Sequence, residues 1–409
     1  MSVDRVPIAT TNKMMRLMME YYLGAKAAEG TSQKIAWVTS GAPVELLYAA
    51  GIIPIYPENH AALCGAQKMA VELCEAAEER GFSRDVCSYA RTDFGAIYTG
   101  KSPVQGLPKP DLLVCCNNIC GTVTKWYQNL QRHFGVPLLY IDTPFVHDSA
   151  TPAMLEYVRA QMEDTLRALE TFTGKTITAE KLRETLELAA EATRLWDETL
   201  DLLAHKPSPM TSFDTFVHIA PIVVMRGTDK CVDYYQALLA EMKQRVEKGI
   251  AAVPGEQYRL GWDNLPVWFK MAGLSKRFAG HKACLVAATY ASAWALPIDA
   301  AAPDPLAECA RAYLTVYINC GLEERIRTLE RMIEKYSLDG MVMHSDRSCK
   351  AYSLGQYELS RQLREKLNVP VLILEADMND SRVYAEEQVN TRIDAFMEML
   401  AARKAGCRP

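Results

Sequence analysis

The sequence of 409 residues contains no run of about 18 apolar residues, the length that an α-helix needs to cross a bilayer. Its N-terminus also lacks the basic segment, apolar core and small-residue cleavage site of a secretory signal, and it carries an acidic residue at Asp4. The first 22 residues have instead the pattern of an amphipathic helix. These absences predict a cytoplasmic protein without a membrane-spanning segment.

Two further absences exclude classes of binding partner. No dense run of Lys or Arg interleaved with aromatic residues occurs, and the net charge is only −5, so we expect no nucleic acid partner. The phosphate-binding pattern G-x-x-x-x-G-K-[ST] is also missing. The chain therefore has no nucleotide-binding loop of this type.

Cysteine, by contrast, is abundant, with 12 residues in the chain. In a reducing compartment cysteines are more often free thiols or metal ligands than disulfides, so this number points to a cofactor. A chain of this length also exceeds the usual size of one hydrophobic core, which predicts two or three domains.

The N-terminal third contains two predicted βαβ units, each with a short apolar run, a turn, a helix and a second apolar run. The predicted strands are residues 34–38, 52–56, 111–116 and 136–142. In the first unit Pro43 is expected at the first position of the helix, and Gly51 at its C-terminal cap. This alternation predicts a parallel sheet.

The same two units recur in the same order in the C-terminal part, with predicted strands at 258–263, 282–290, 339–345 and 369–377. The predicted helices lie near 267–278 and, within the stretch 347–366, after Cys349. Between the two parts, residues 152–205 have continuous helical periodicity, followed by a break at 206–210 and a helix near 233–248. We therefore predict an α/β protein with a helical N-terminus and two similar open parallel-sheet domains of the Rossmann or flavodoxin type. The predicted boundaries are 1–150, a helical connector at 151–250, and 251–409.

Two cysteines follow predicted strands at positions where ligands usually bind to open parallel sheets. Cys120 follows the strand that starts at Asp111, and Cys349 follows the strand that starts at Asp339. Cys87 is available as a third thiolate, in a segment with the pattern of a helix. Its separation of 33 residues from Cys120, and the 229 residues from Cys120 to Cys349, match no compact ferredoxin spacing, so spacing alone leaves a cluster undecided.

The remaining cysteines have a simpler interpretation as small buried apolar residues. Cys115 and Cys116 are adjacent at the end of a strand, so they face opposite sides and cannot both serve one cluster easily. Cys320, which precedes Gly321 in a predicted turn, and Cys407, near the C-terminus, have no predicted role. The expected buried residues are Cys64, Cys74, Cys231, Cys284 and Cys309.

Four segments together resemble the 2-hydroxyacyl-CoA dehydratase and benzoyl-CoA reductase family, in their order and spacing over nearly the whole chain. They are YPENHAA (56–62), SRDVCSYARTDFG (83–95), LLVCCNNICGTVTKWYQN (112–129) and HSDRSCKAYSLGQYE (344–358). The resemblance points to the larger, alpha-type subunit, at whose cluster the substrate binds. It implies that Cys87, Cys120 and Cys349 hold a 4Fe-4S cluster whose fourth iron carries water or hydroxide at an exchangeable site.

The resemblance also implies that Ser40, in WVTSGAP, and Glu58, in YPENH, face the substrate. From the residues alone, Ser40 could equally cap the following helix, and Glu58 could be a solvated turn residue. His60 and His344 lie in the same motifs, but a lone histidine is more often structural, and their role stays open.

The activity implied by the resemblance is the loss of water from an (R)-2-hydroxyacyl-CoA to give an enoyl-CoA, which makes the protein an oxygen-sensitive hydro-lyase. No side-chain base can remove the unactivated β-proton, whereas a ketyl radical formed by one-electron reduction can expel the hydroxyl group. The implied partners are a smaller homologous cluster-bearing subunit, in a heterodimer, and an ATP-dependent iron-sulfur activator. Whether a flavin is also bound is left open.

Two alternative functions remain at this point. The first is a subunit of an ATP-dependent benzoyl-CoA (aroyl-CoA) reductase, although WVTSGAP, PENHAA and CCNNIC look closer to the dehydratases. The second belongs to another class, a homodimeric iron-sulfur electron-transfer protein without an acyl-CoA site.

Overall fold

The computed structural model describes residues 6–406, so Asp4 and Cys407 lie outside the described residues. The N-terminal sheet has four parallel strands, in which Trp37 pairs with Ile55 on one side and Leu113 on the other. They are β1 (Ile35–Val38), β2 (Ile53–Ile55), β3 (Leu112–Cys116) and β4 (Leu138–Ile141). The order across the sheet is β2-β1-β3-β4.

The C-terminal sheet repeats this arrangement. Its strands are β5 (Tyr258–Asp263), β6 (Ala283–Ala288), β7 (Gly340–Asp346) and β8 (Val371–Ala376), all parallel. The order β6-β5-β7-β8 again places the first strand of the unit between the second and the third. The prediction of two similar open parallel sheets is therefore confirmed.

Helices cover both faces of the N-terminal sheet and connect its strands. They are α1 (Thr10–Ala28), α2 (Val44–Ala49), α3 (Pro57–Ala66), α4 (Ala70–Glu78), α5 (Ser88–Thr99) and α6 (Gly121–Phe134). Pro43 was expected at the first position of α2 but is its N-cap residue. The C-cap is Ala50 rather than Gly51, and Gly51 follows it with a φ of 70°, the left-handed conformation that favours glycine.

The connector consists of helices, as predicted. They are α7 (Pro152–Thr173), α8 (Ala179–Asp201), α9 (Ser212–His218), α10 (Ala220–Met225) and α11 (Asp229–Glu247). Threonine side chains at Thr151, Thr178 and Thr228 accept hydrogen bonds from backbone N–H groups and so start the three long helices. The predicted break at 206–210 separates α8 from α9.

The C-terminal helices are α12 (Met271–Gly280), α13 (Thr289–Ser292), α14 (Pro305–Leu314), α15 (Leu322–Tyr336), α16 (Lys350–Ser353), α17 (Gln356–Leu367) and α18 (Glu386–Lys404). A helix was predicted after Cys349, and the structure has two separate helices there, α16 and α17. Gly355 lies between these two helices and close to α15. A Cβ atom added to Gly355 would lie 2.6 Å from Leu322 Cδ2, which is too close for a larger residue without a shift. The break leaves Cys349 at the N-terminus of the short helix α16.

One cluster of buried apolar residues extends through both sheets and the connector, from Leu47 through Trp196 to Leu285. A second cluster lies on the other face of the N-terminal sheet. No helix in residues 6–406 is long and apolar enough to cross a membrane. The predicted domain boundaries at 150 and 250 stay a prediction.

Candidate functional site: a cavity between the two sheets

A cavity of about 1140 Å³ opens where the carboxyl ends of the two sheets face each other. Seven of the eight strands contribute a lining residue within four positions of their ends. Among these residues are Ser40 after β1, Glu58 after β2, Cys120 after β3 and Cys349 after β7. Ligands bind at this edge of open parallel sheets, and here two such edges form one space.

Cys87, Cys120 and Cys349 all line this cavity. They are also the only half-buried cysteines among the eleven in the described part of the chain, and the other eight are buried. No disulfide occurs among these eleven. The structure thus brings the three predicted cluster ligands together and separates them from the other cysteines.

Each of the three cysteines is the N-cap residue of a helix, α5, α6 and α16 respectively. Free backbone N–H groups and the positive end of the helix dipole favour a thiolate there. N–H groups of the first turns donate to the sulfurs: Tyr89 and Ala90 to Cys87, Thr122 and Val123 to Cys120, and Tyr352 to Cys349. Cys87 was expected inside a helix but precedes it, and this position frees its thiol for the cavity.

Burial nevertheless raises the pKa of the Cys349 thiol well above its usual value, and Asp346, Cys87 and Cys120 raise it further. Burial likewise raises the pKa of Cys87, and Cys120 adds to this effect. Three neighbouring thiolates in this place need a positive group to compensate them. A bound metal centre would supply that compensation.

Among residues 6–406, no three His, Cys, Asp or Glu side chains are grouped closely enough to hold a single metal ion. A four-iron cubane binds each cysteine through a different iron atom, so its ligands lie farther apart than those of one ion. Three half-buried thiols around one cavity, each facing helix N–H groups, fit this larger group.

A chain of hydrogen bonds joins the loops that carry Cys87 and Cys349. The backbone N–H of Ser88 donates to Ser348 Oγ at 3.1 Å, and Ser348 Oγ donates to Asp377 Oδ2 at 2.5 Å. Close by, Arg91 of α5 forms a buried ion pair with Asp380 at 3.0 Å. These contacts fix the two cysteine loops relative to each other, although they belong to different sheets.

Ser40 and Glu58 form a hydrogen-bonded pair on the cavity wall. The backbone N–H of Ser40 donates to Glu58 Oε2 at 2.5 Å, and its hydroxyl group donates to the same carboxylate. Burial raises the pKa of Glu58 from 4.5 to about 7, although both hydrogen bonds from Ser40 act in the opposite direction. The carboxyl group is therefore partly protonated near neutral pH.

The local geometry of the pair differs from both simpler interpretations. No side chain caps α2, whose N-cap residue is Pro43, so Ser40 is not a helix cap. Glu58 lies in the first turn of α3 and is half-buried on the cavity wall, where its carboxylate accepts hydrogen bonds from Ser40, so it is not a fully solvated turn residue.

His60 and His344 do not line the cavity. His60 is buried with its Nε2 at 2.8 Å from Ser102 Oγ, and His344 is buried with its Nδ1 at 2.7 Å from the carbonyl oxygen of Leu265. Burial lowers the pKa of each imidazole to about 4. Both are neutral side chains of the protein interior.

The other cysteines behave as expected. Cys115 and Cys116 belong to the two different buried clusters, on opposite faces of β3, and neither lines the cavity. Cys320 is buried. The five cysteines interpreted as small apolar residues are all buried: Cys64, Cys74, Cys231, Cys284 and Cys309.

Tyr290 is a lining residue that sequence reasoning missed. It follows β6 as Glu58 follows β2, the equivalent strand of the other sheet. Burial raises the pKa of its phenol. The nearby Glu58 raises this pKa further, and Cys349 does so to a smaller extent. Trp294 donates a hydrogen bond to this phenol. The repeat of the two units in the sequence was the signal that could have identified it.

The family model described as 2-hydroxyglutaryl-CoA dehydratase, D-component, matches residues 39–400. The chain is 35% identical over 391 residues to the (R)-2-hydroxyisocaproyl-CoA dehydratase alpha subunit of Clostridioides difficile, covering 95% of each chain. It is 31% identical over 417 residues to the alpha subunit of the lactoyl-CoA dehydratase of Anaerotignum propionicum, covering 97% of this chain and 99% of that one. To one of the subunits of the benzoyl-CoA reductase of Thauera aromatica it is 28% identical over 377 residues, covering 88% of this chain and 87% of that one.

Proposed function

Because the chain belongs to the family described as 2-hydroxyglutaryl-CoA dehydratase, D-component, we propose that it is the active-site subunit of an oxygen-sensitive radical (R)-2-hydroxyacyl-CoA dehydratase. The resemblance seen in the sequence is confirmed by this membership. The proposed reaction forms an enoyl-CoA, which makes the enzyme a hydro-lyase. The observation that carries the proposal is that Cys87, Cys120, Cys349, Ser40 and Glu58 line one cavity.

We propose Cys87, Cys120 and Cys349 as the ligands of a 4Fe-4S cluster with one exchangeable position. When bound, such a cluster would supply one electron to the thioester, which makes an otherwise inert β-hydrogen acidic enough to be removed. A site with three protein ligands and one free position is better suited to substrate binding than to electron storage.

Glu58 and Ser40 are proposed to act on the leaving hydroxyl group. With a pKa of about 7, the Glu58 carboxyl group holds a proton near neutral pH and can donate it to the departing oxygen. Ser40 fixes the orientation of this carboxyl group through two hydrogen bonds. Both residues face the same space as the cysteines, as this role requires.

Aromatic side chains from both sheets are proposed to exclude water from the site. Trp268, in a short 3-10 helix before α12, donates a hydrogen bond to the Tyr89 hydroxyl group in α5, so the two units are joined at the cavity wall. Trp126 also lines the cavity, and its indole N–H is held by Asp93 at 2.8 Å. A dry site strengthens the interaction of Glu58 with a developing charge.

A second subunit is proposed to cover the mouth of the cavity. Met15, Met19 and Leu23 of α1 line this mouth and are more than half exposed. An exposed apolar helix face beside a site is typical of a protein interface. Since the dehydratase relatives are named as alpha subunits, we propose a heterodimer with a smaller homologous cluster-bearing subunit, and an ATP-dependent iron-sulfur protein as activator.

The test is to purify the chain anaerobically with the products of neighbouring genes and to measure ATP hydrolysed per product formed. A dehydratase returns the electron at the end of each cycle, so we expect a ratio far below one over many turnovers. A constant stoichiometric ratio with an aroyl-CoA would favour the alternative of a ring reductase, the activity named for the relative with 28% identity. A homodimer that binds no acyl-CoA would support an electron-transfer protein instead.

A further inference from the structure

The cavity has one closed end and one open end, and their charges differ. Among the described lining residues, the charged side chains besides the thiols are Glu58, Lys68, Arg226 and Lys270. Lys68 follows α3, whose last residue lies about 12 Å along the helix axis from Glu58 at 1.5 Å per residue. Lys68 is exposed at the open end, whereas Arg226 is completely buried at the closed end.

The closed end is lined by aromatic and aliphatic side chains. Tyr290 stands beside Glu58, its ring is 6.3 Å from that of Phe216, and its phenol accepts a hydrogen bond from Trp294. The Trp294 ring in turn lies 5.7 Å from the guanidinium group of Arg226. Between Glu58 and Arg226 the wall is therefore mainly apolar, and the side chains of this stretch named here carry no charge.

Arg226 is the only cation at this end among the described lining residues, and its charge is already compensated. Its Nε donates to Glu45 Oε1 at 3.0 Å, and its terminal nitrogen donates to the Tyr313 hydroxyl group at 2.5 Å. Tyr313 donates to the second oxygen of Glu45 at 2.6 Å. Both carboxylate oxygens and the guanidinium group are thus held in one closed triad.

From these charges we infer that the site selects an acyl group with an uncharged, mainly apolar side chain and rejects an acyl group that ends in a second carboxylate. In this inference the coenzyme, the larger part of the ligand, extends towards the exposed Lys68, because Lys270 is already paired with Glu386 at 2.8 Å, and the acyl group occupies the closed end. A carboxylate placed there would lose its hydration without meeting a free cation. This inference rests on the proposed function, since it assumes an acyl-CoA in the cavity.

The experiment compares the binding of two unreactive thioesters, isocaproyl-CoA and glutaryl-CoA, to the anaerobically purified heterodimer by tryptophan fluorescence. We expect glutaryl-CoA to bind at least about tenfold more weakly. Equal affinities, or tighter binding of glutaryl-CoA, would overturn the inference while leaving the acyl-CoA function intact. If neither thioester binds, the proposed function itself is refuted.

A variant tests the cause of the selection. Glu45→Gln leaves the charge of Arg226 uncompensated, so the difference between the two thioesters should shrink or reverse. The matched control is Glu256→Gln, which removes the charge from a buried pair with Arg259 that does not line the cavity. An unchanged preference in a folded Glu45→Gln protein would contradict the role of the triad, and if this variant does not fold, the wild-type comparison alone decides.

Discussion

Substitution of Glu58 by glutamine should change how the stability of the protein depends on pH. The folded protein holds a proton on Glu58 up to a pH of about 7, whereas the unfolded chain loses it near pH 4.5. As the pH rises through this interval, the unfolded state is favoured. The difference corresponds to roughly 3 kcal/mol, at about 1.4 kcal/mol per pKa unit.

Glu58→Gln lacks this titration and should therefore be more stable than the wild type above pH 7, by up to about 3 kcal/mol, with the gap closing towards pH 4.5. The assay is urea unfolding of the metal-free protein between pH 4.5 and 8. Asp93, whose pKa is also raised by burial to about 7, is present in both proteins and largely cancels in the difference. Glu187→Gln, on the exposed face of α8, is the control and should show no gap. A gap that is constant with pH, or that widens towards acid pH, would refute the reasoning.

Three further changes test other parts of the structure. Ser40→Ala should slow turnover by about a hundredfold with unchanged iron content, because one hydrogen bond at the reacting groups is lost; an unchanged rate would remove Ser40 from the site. Ser348→Ala should lower the free energy of unfolding by about 1–3 kcal/mol, since it leaves the Ser88 N–H and the Asp377 carboxylate without their shared partner; an unchanged denaturation midpoint would contradict this. Gly95→Ala should destabilise by about 1–3 kcal/mol, because its Cβ would lie 1.9 Å from a backbone oxygen of α4, whereas Gly24→Ala in α1 has open space and should be neutral or slightly stabilising.

The strands were predictable from the sequence because parallel strands buried on both faces appear as short apolar runs. All eight predicted strands are present, and the recurrence of two units predicted two similar sheets, which have equivalent strand orders in the structure. Helix ends were less predictable. The break between α16 and α17 includes Gly355, which lies close to Leu322 of α15. A contact between residues this far apart in the chain leaves no signal in the local sequence.

The candidate site was predictable only in part. The cysteine spacings did not identify the proposed ligands, because Cys349 comes from a different sheet than Cys87 and Cys120, and the resemblance to a family supplied the choice. The pairing of Arg226 with Glu45 joins residues 181 positions apart, so nothing in the sequence around either residue reveals it. This contact depends on how the connector packs against α2 of the N-terminal unit.

The measurement that tests the central claim most directly is the iron and sulfide content of anaerobically purified variants. The account predicts about four iron and four sulfide per wild-type chain, as one cubane cluster requires. Cys87→Ser, Cys120→Ser and Cys349→Ser should each lose the cluster, whereas the buried controls Cys231→Ser and Cys284→Ser should keep it. An active wild-type protein without iron, or a full cluster in all three ligand variants, would contradict the account.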